Sequence, residues 1–279
     1  MMVDARGLRF EVREGGPADG EPVLLLHGFP QHSGEWDQVV PELHAAGLRT
    51  YALDQRGYSP GARPAEVSAY RIEECVADVP AVLDALGLES AHVVGHDWGA
   101  IVAWHLAATH PERVRTLTAV SVPHPVAVGQ AIRDDIGQKL KSWYITLFRR
   151  PGLAEKVLLS FDAAVLRRMF AGLRPEQIAP YVDAMRAPGA LTAGLNWYRA
   201  ITPTTYGGVG PVTVPTTYVW STRDAALGGT AAHACAHHVT GDYRFVELPG
   251  VSHWIPDEAP GPLAAAVRER VTGARPPAS

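Results

Sequence analysis

Three residues stand where chemistry could be done: Asp97, Asp224 and His253. Asp97 sits in Gly95-His-Asp-Trp-Gly99, and this Gly-x-Asp-x-Gly spacing fits a sharp strand-to-helix turn that lifts one side chain above a sheet. The glycines allow a backbone too crowded for Cβ atoms. A serine is the usual residue at the apex of such a turn; an aspartate changes the reaction. Serine attacking an sp3 carbon would leave a stable ether. Aspartate leaves an ester, which water can still open at its carbonyl carbon. The expected substrate is therefore an alkylating electrophile, such as an epoxide or an alkyl halide. Asp224 and His253 complete a nucleophile–acid–base order along the chain. A purely structural Asp in a tight turn is the plain alternative.

The elements that must position these residues alternate along the chain. Leu8 to Arg13 alternates apolar and polar residues and reads as an antiparallel strand. Val23 to Leu26 is a continuous apolar run, as expected of a strand buried on both faces. It leads into His27-Gly28-Phe29-Pro30, a loop able to aim a backbone N–H at a developing oxyanion. A helix is expected over 35–46, a strand over 49–53, and a helix over 66–86 that stops at Gly87. The turn Asp54-Gln-Arg-Gly-Tyr58 between them reads as structural. Ala91 to Val94 and Val114 to Val122 are further buried strands, with a buried helix after Asp97.

The rhythm then changes. Residues 123–207 read as helical, with Ile136, Leu140, Trp143, Tyr144, Leu147 and Phe148 expected on one apolar face. It resumes with strands at Val212 to Trp220 and Tyr243 to Leu248, and a final helix at Pro260 to Val271. Asp97, Asp224 and His253 each follow a strand, so all three should gather at one sheet edge. The expected organisation is a first core segment 1–122, a helical lid 123–207, and a second core segment 208–279. The last residues, from Ala274, read as a frayed tail.

Composition narrows the class. The chain has 279 residues, 47% hydrophobic and 19% charged, with a formal net charge of −4. It has no basic run, which argues against nucleic acid and anionic membranes as partners. No signal peptide and no membrane-spanning run is read. Cys75 and Cys235 lie far apart, which fits a reducing cytoplasm. His233 and His237 have an i, i+4 spacing that could bind zinc. They lack further ligands, and the stretch reads as a surface helix. No metal is expected. His27, His96 and His124 read as packing or loop residues.

These residues together resemble the α/β-hydrolase fold over nearly the whole chain, and within it the epoxide hydrolases. The resemblance rests on His27-Gly-Phe-Pro30, Gly95-His-Asp-Trp-Gly99, Asp224, Ser252-His253-Trp254 and two tyrosines. In that family two lid tyrosines hydrogen-bond the epoxide oxygen. Ser142-Trp-Tyr144 ahead of Pro151-Gly152 looks like the first site, and Leu195-Asn-Trp-Tyr198-Arg199 the second. The loop Arg56-Gly-Tyr-Ser-Pro-Gly61 departs from relatives, which more often place a glycine directly after the aromatic. The resemblance implies an ester on Asp97, opened by water that His253 activates while Asp224 holds the imidazole. It also implies an oxyanion site at the backbone N–H groups of Phe29 and Trp98, with no cofactor. A small apolar epoxide is the expected substrate, and the sequence leaves a homodimer open. A haloalkane dehalogenase shares the nucleophile, but Phe29 offers no side-chain donor to a halide. An ester hydrolase lacks its serine here, and a non-catalytic ligand-binding member would not need the full set.

Overall fold

The computed structural model describes residues 1–273, so the tail expected to fray lies outside the described residues. Eight strands form one sheet: β1 (Met2–Ala5), β2 (Leu8–Gly15), β3 (Glu21–Leu26), β4 (Leu48–Leu53), β5 (Ala91–His96), β6 (Val114–Val120), β7 (Thr216–Ser221) and β8 (Tyr243–Leu248). Their order is β1-β2-β4-β3-β5-β6-β7-β8. β1 and β2 are antiparallel and edge an otherwise parallel sheet.

Successive strand side chains point to opposite faces, so a strand covered on both sides must be apolar throughout. In β3, Leu24 and Leu26 face one core. Val23 and Leu25 face the other, with Trp36, Leu43, Leu263 and Val267. The second core is closed by α1 (Val40–Ala45) and, from the second core segment, by α13 (Pro260–Thr272). The first core takes α2 (Ile72–Ala85) and α3 (Trp98–Thr109). Every residue of α3 from Trp98 to Ala107 is buried, as a helix apolar all round requires.

Between β6 and β7 the regular elements are helices: α4 (Pro125–Asp134), α5 (Ile136–Lys141), α6 (Tyr144–Phe148), α7 (Leu153–Met169), α8 (Pro175–Arg186), α9 (Ala190–Arg199) and α10 (Pro203–Gly207). The helix α7 is broken at Ser160 to Ala163, where Phe161, Asp162 and Ala163 take positive φ. α11 (Gly229–Ala234), α12 (Ile255–Glu258) and α13 (Pro260–Thr272) complete the chain. No helix among the described residues is long and apolar enough to cross a membrane.

Several elements differ from the sequence reading. The helix expected from Glu35 starts at Val40, because Pro41 fits only a first turn; Ser33–Trp36 forms a tight 3-10 turn instead. Val67–Tyr70 is likewise 3-10, and the helix proper begins at Ile72. β7 begins at Thr216, after Pro215, and Val212 makes only an isolated bridge to Val239. The single apolar face expected over 136–148 is split. Phe148 is buried, but Ile136, Leu140 and Trp143 are 73%, 68% and 67% exposed. Ser142 and Trp143 separate α5 from α6, which breaks the helical register that would have aligned them.

The close packing of β3 against α3 yields a prediction. A Cβ on Gly99 would collide with the Leu26 carbonyl oxygen, a backbone atom that cannot step aside. Gly99→Ala should therefore cost about 3 kcal/mol of stability, the upper range for overpacking. Denaturant unfolding would measure it; an unchanged midpoint would contradict this packing.

Candidate active site

Asp97 caps α3 at the end of β5, with φ 51° and ψ −117°. This is a sparsely populated backbone for a residue with a Cβ, and it persists only where neighbours over-determine it. They do so here. A Cβ on Gly95 would meet the Gly99 carbonyl oxygen, and one on Gly28 would meet the Asp97 side chain itself. The loop after β3 thus runs directly against Asp97. Phe29 N–H donates to Asp97 Oδ1 at 2.9 Å. Trp98, the next residue, opens α3, whose first N–H groups have no acceptor within the helix.

His253 arrives from the loop after β8. Its Nε2 lies 3.5 Å from Asp97 Oδ2, and its Nδ1 lies 2.8 Å from Asp224 Oδ2. Asp224 follows β7, and its other oxygen accepts from the N–H groups of Ala226 and Leu227 at 2.7 and 2.8 Å. The carboxylate is therefore fixed, and it orients the imidazole. Burial opposes protonation of His253. The two carboxylates outweigh it and push the imidazole up to about 10. For Asp97 burial acts upward, but His253 wins and holds the carboxyl below its ordinary value.

The two tyrosines singled out in the sequence come to the same place. Tyr144, on α6, and Tyr198, on α9, line a cavity of about 450 Å3 together with Phe29, Asp97 and His253. Tyr198 packs edge-on against Phe29, Trp98 and Phe148 at 5.3, 5.1 and 4.9 Å between ring centres. Burial, and then the charge of Asp97, raises both phenols well above their ordinary range. Both remain protonated donors at neutral pH. A smaller space of about 30 Å3 lies beside Asp97, lined by Trp98, Tyr144, Tyr198 and Tyr206 among others.

With this geometry in view, the comparisons are informative. Residues 21–260 match the alpha/beta hydrolase fold family. The chain belongs to that family. Epoxide hydrolase A of Mycobacterium tuberculosis is 35% identical to this alpha/beta hydrolase, across 98% of this chain and 97% of its own. The AB hydrolase superfamily protein YfhM of Bacillus subtilis is 37% identical across 93% of both. A solved structure, epoxide hydrolase A from Mycobacterium thermoresistibile, has a TM-score of 0.86 at 29% identity, covering 98% of each chain.

Other residues around the site behave differently from their sequence reading or were not foreseen. His233 and His237 do not share a helix. α11 ends at Ala234 and a 3-10 turn follows, while His233 packs on Trp220 and Phe245. His96 is more than packing. Its Nε2 contacts the His253 main-chain oxygen at 3.0 Å, which Ser121 Oγ also bonds at 2.8 Å. A carbonyl only accepts, so His96 Nε2 carries the proton. Burial holds His96 down at about 4, leaving Nδ1 an acceptor. Facing that Nδ1 at 3.2 Å is Glu35 Oε2, fully buried, which the sequence reading passed over. Burial, then Asp257 and Asp97, raise Glu35 well above its ordinary range. A protonated Glu35 donating through Oε2 satisfies both nitrogens of His96, while Glu35 Oε1 is buried without a hydrogen-bond partner among the described residues. Sequence gave no signal for this pairing, because Glu35 and His96 meet only across the folded sheet edge.

That assignment is testable. A glutamine amide can donate as the protonated acid does, so Glu35→Gln should stay within about 1 kcal/mol of the parent in stability, whereas Glu35→Ala should lose about 2–3 kcal/mol by stranding buried His96 Nδ1. Equal losses in chemical denaturation would mean that Glu35 is ionised.

Proposed function

We propose that this alpha/beta hydrolase converts an epoxide and water to a vicinal diol through an ester on Asp97. The observation that carries the reading is one cavity shared by a carboxylate at a strained strand-to-helix turn, two phenols, one buried and one half-buried, and a carboxylate-held imidazole. A dehalogenase would have no use for two phenols beside the nucleophile.

In this reading Oδ1 of Asp97 is held by Phe29 N–H, leaving Oδ2 as the attacking oxygen. Oδ2 forms a bond to an epoxide carbon as the ring C–O bond breaks. Tyr144 and Tyr198 hydrogen-bond the departing oxygen, and a phenol supplies its proton. An alkoxide is far more basic than a phenolate, so the transfer runs downhill. The product is a hydroxyalkyl ester.

The ester carries no charge, and this changes His253. One of the two carboxylates that raise its pKa has gone, so the imidazole gives up its proton, which restores the phenol that protonated the alkoxide, and becomes a base for water. Water attacks Asp97 Cγ and His253 takes its proton. Asp224 stabilises the imidazolium. Phe29 and Trp98 N–H groups hold the oxyanion. Collapse of that intermediate breaks the ester C–O bond, His253 returns a proton, and the diol leaves. No metal or organic cofactor enters these steps.

Residues 123–207 act as a cap in this scheme, since α6 and α9 supply both phenols and α6 and α7 much of the rest of the cavity wall. The wall is mainly apolar, which suits a small apolar epoxide. Both cysteines are free and buried, in keeping with a cytoplasmic protein.

The roles divide cleanly by experiment. His253→Gln should still be alkylated but should not release diol, so intact-mass spectrometry after mixing with an aryl epoxide should show one added epoxide mass. A variant that stays unmodified while forming diol at the parent rate would remove His253 from the mechanism.

A further inference from the structure

The cap carries a surface that the proposed reaction does not use. Of the ten large apolar side chains exposed among the described residues, six lie between Ile136 and Phe161. Ile136, Leu140 and Trp143 come from α5 and its link to α6; Leu153, Leu159 and Phe161 come from α7. Single exposed apolar residues are ordinary on a protein surface, but a gathering of this density is not. Ile136 and Leu140, four residues apart, share one face of α5. Phe161 is 90% exposed at the break in α7, where the backbone enters the left-handed region. A bulky residue is costly there, and the exposed ring gets no packing in return. α6 packs on α7, and Trp143 and Leu158 both stand on the wall of the 450 Å3 cavity, so the two groups border one cavity.

The same stretch is basic. Lys139, Lys141, Arg149, Arg150 and Lys156 stand in it against one acid, Glu155, in a chain whose formal net charge is −4. Glu155 is already matched by Arg199 at 2.8 Å. Of the acids at its ends, Asp134 follows Arg133, Asp135 caps α5 and accepts from Thr230, and Asp162 pairs with Arg167 and Arg186. Lys139, Arg149, Arg150 and Lys156 are exposed and reach no carboxylate among the described residues. The sequence reading set anionic membranes aside on the overall charge of the chain. The fold collects cations and exposed apolar side chains in one part of the cap.

We propose that this surface docks on an anionic lipid membrane, lying in the headgroup layer without crossing it. Its occupant has to be apolar and negatively charged at once, and a bilayer with acidic headgroups is both. Ile136, Leu140 and Phe161 would enter the boundary between headgroups and chains, with Trp143 at headgroup level, where indole rings gather. Lys139, Arg149, Arg150 and Lys156 would stay among the phosphates, their stems laid along the apolar residues. A second copy of the chain fits less well, because a two-fold contact sets the patch against itself and brings cation onto cation. Docking in this pose sets the Trp143 side of the cavity against lipid, the phase that holds apolar molecules. The proposal stands on the cap surface and does not depend on what the cavity converts.

The test is flotation of the full chain with vesicles of phosphatidylcholine alone and of phosphatidylcholine with about 30% phosphatidylglycerol. At low salt the anionic vesicles should carry about tenfold more protein than the neutral ones, and about 0.5 M salt should remove most of the difference. Leu140→Ser combined with Phe161→Ser should cut binding about tenfold, as should Arg149→Glu combined with Arg150→Glu. All four residues are exposed and outside the cavity wall, so the unfolding midpoint should hold in both variants. Absence of binding to the anionic vesicles at low salt would overturn the proposal and leave an acidic protein as the occupant. Equal binding to both kinds of vesicle, or binding that both variants retain, would overturn it as well. So would self-association in sedimentation velocity that the Leu140→Ser, Phe161→Ser variant abolishes, since the patch would then be a contact between copies.

Discussion

The contact between the Asp97 carboxylate and the His253 imidazole, 3.5 Å from Oδ2 to Nε2, is the constraint on which the other features of the site depend. Asp97 is buried at a turn that leaves it no way to retreat into water. Stripping a buried charge of its partner costs about 3–5 kcal/mol, so the imidazolium has to be close. The imidazolium in turn needs Asp224, and Asp224 needs the two N–H groups that fix it. Each group is held by the next one outward. The series ends in ordinary backbone of the loops after β7 and β8.

The same electrostatic arrangement links the two halves of the proposed reaction. With Asp97 ionised, His253 is held protonated and cannot act as a base. Once Asp97 is esterified, part of that hold disappears and the base is released. The nucleophile's own charge thus sets the order of events. Behind His253 lies a neutral support made of His96, Ser121 and Glu35, all hydrogen-bonded in series to the His253 main chain or to one another. A neutral support is the right kind here, because a further charge would disturb the balance between Asp97 and His253.

Much of this was legible in the sequence, for identifiable reasons. The turn at Asp97 was readable because its demand for glycine at 95 and 99 is local. The strand end that carries Asp224 was readable because β7 is buried throughout, while the one before His253 belongs to an edge strand, β8, whose apolar residues alternate with Arg244 and Glu247. Tyr198 could be found by its Asn-Trp-Tyr-Arg context through a resemblance, not through spacing alone. What was not legible depends on tertiary contact. Glu35 looked like an unremarkable helix-start acid, and only the folded chain buries it against His96. The first edge strand, Met2–Ala5, was too short to show alternation. The exposed side of α5 was misread because two residues between α5 and α6 reset the helical phase.

The central claim is that the first oxygen added to carbon comes from Asp97. It is tested most directly by a single turnover, with enzyme in excess over a simple epoxide, in water labelled with heavy oxygen. The account predicts mostly unlabelled diol and one labelled oxygen in the peptide containing Asp97, since water attacks the ester carbonyl and not the epoxide. Label in the diol on that first turnover, with the Asp97 peptide unlabelled, would contradict it.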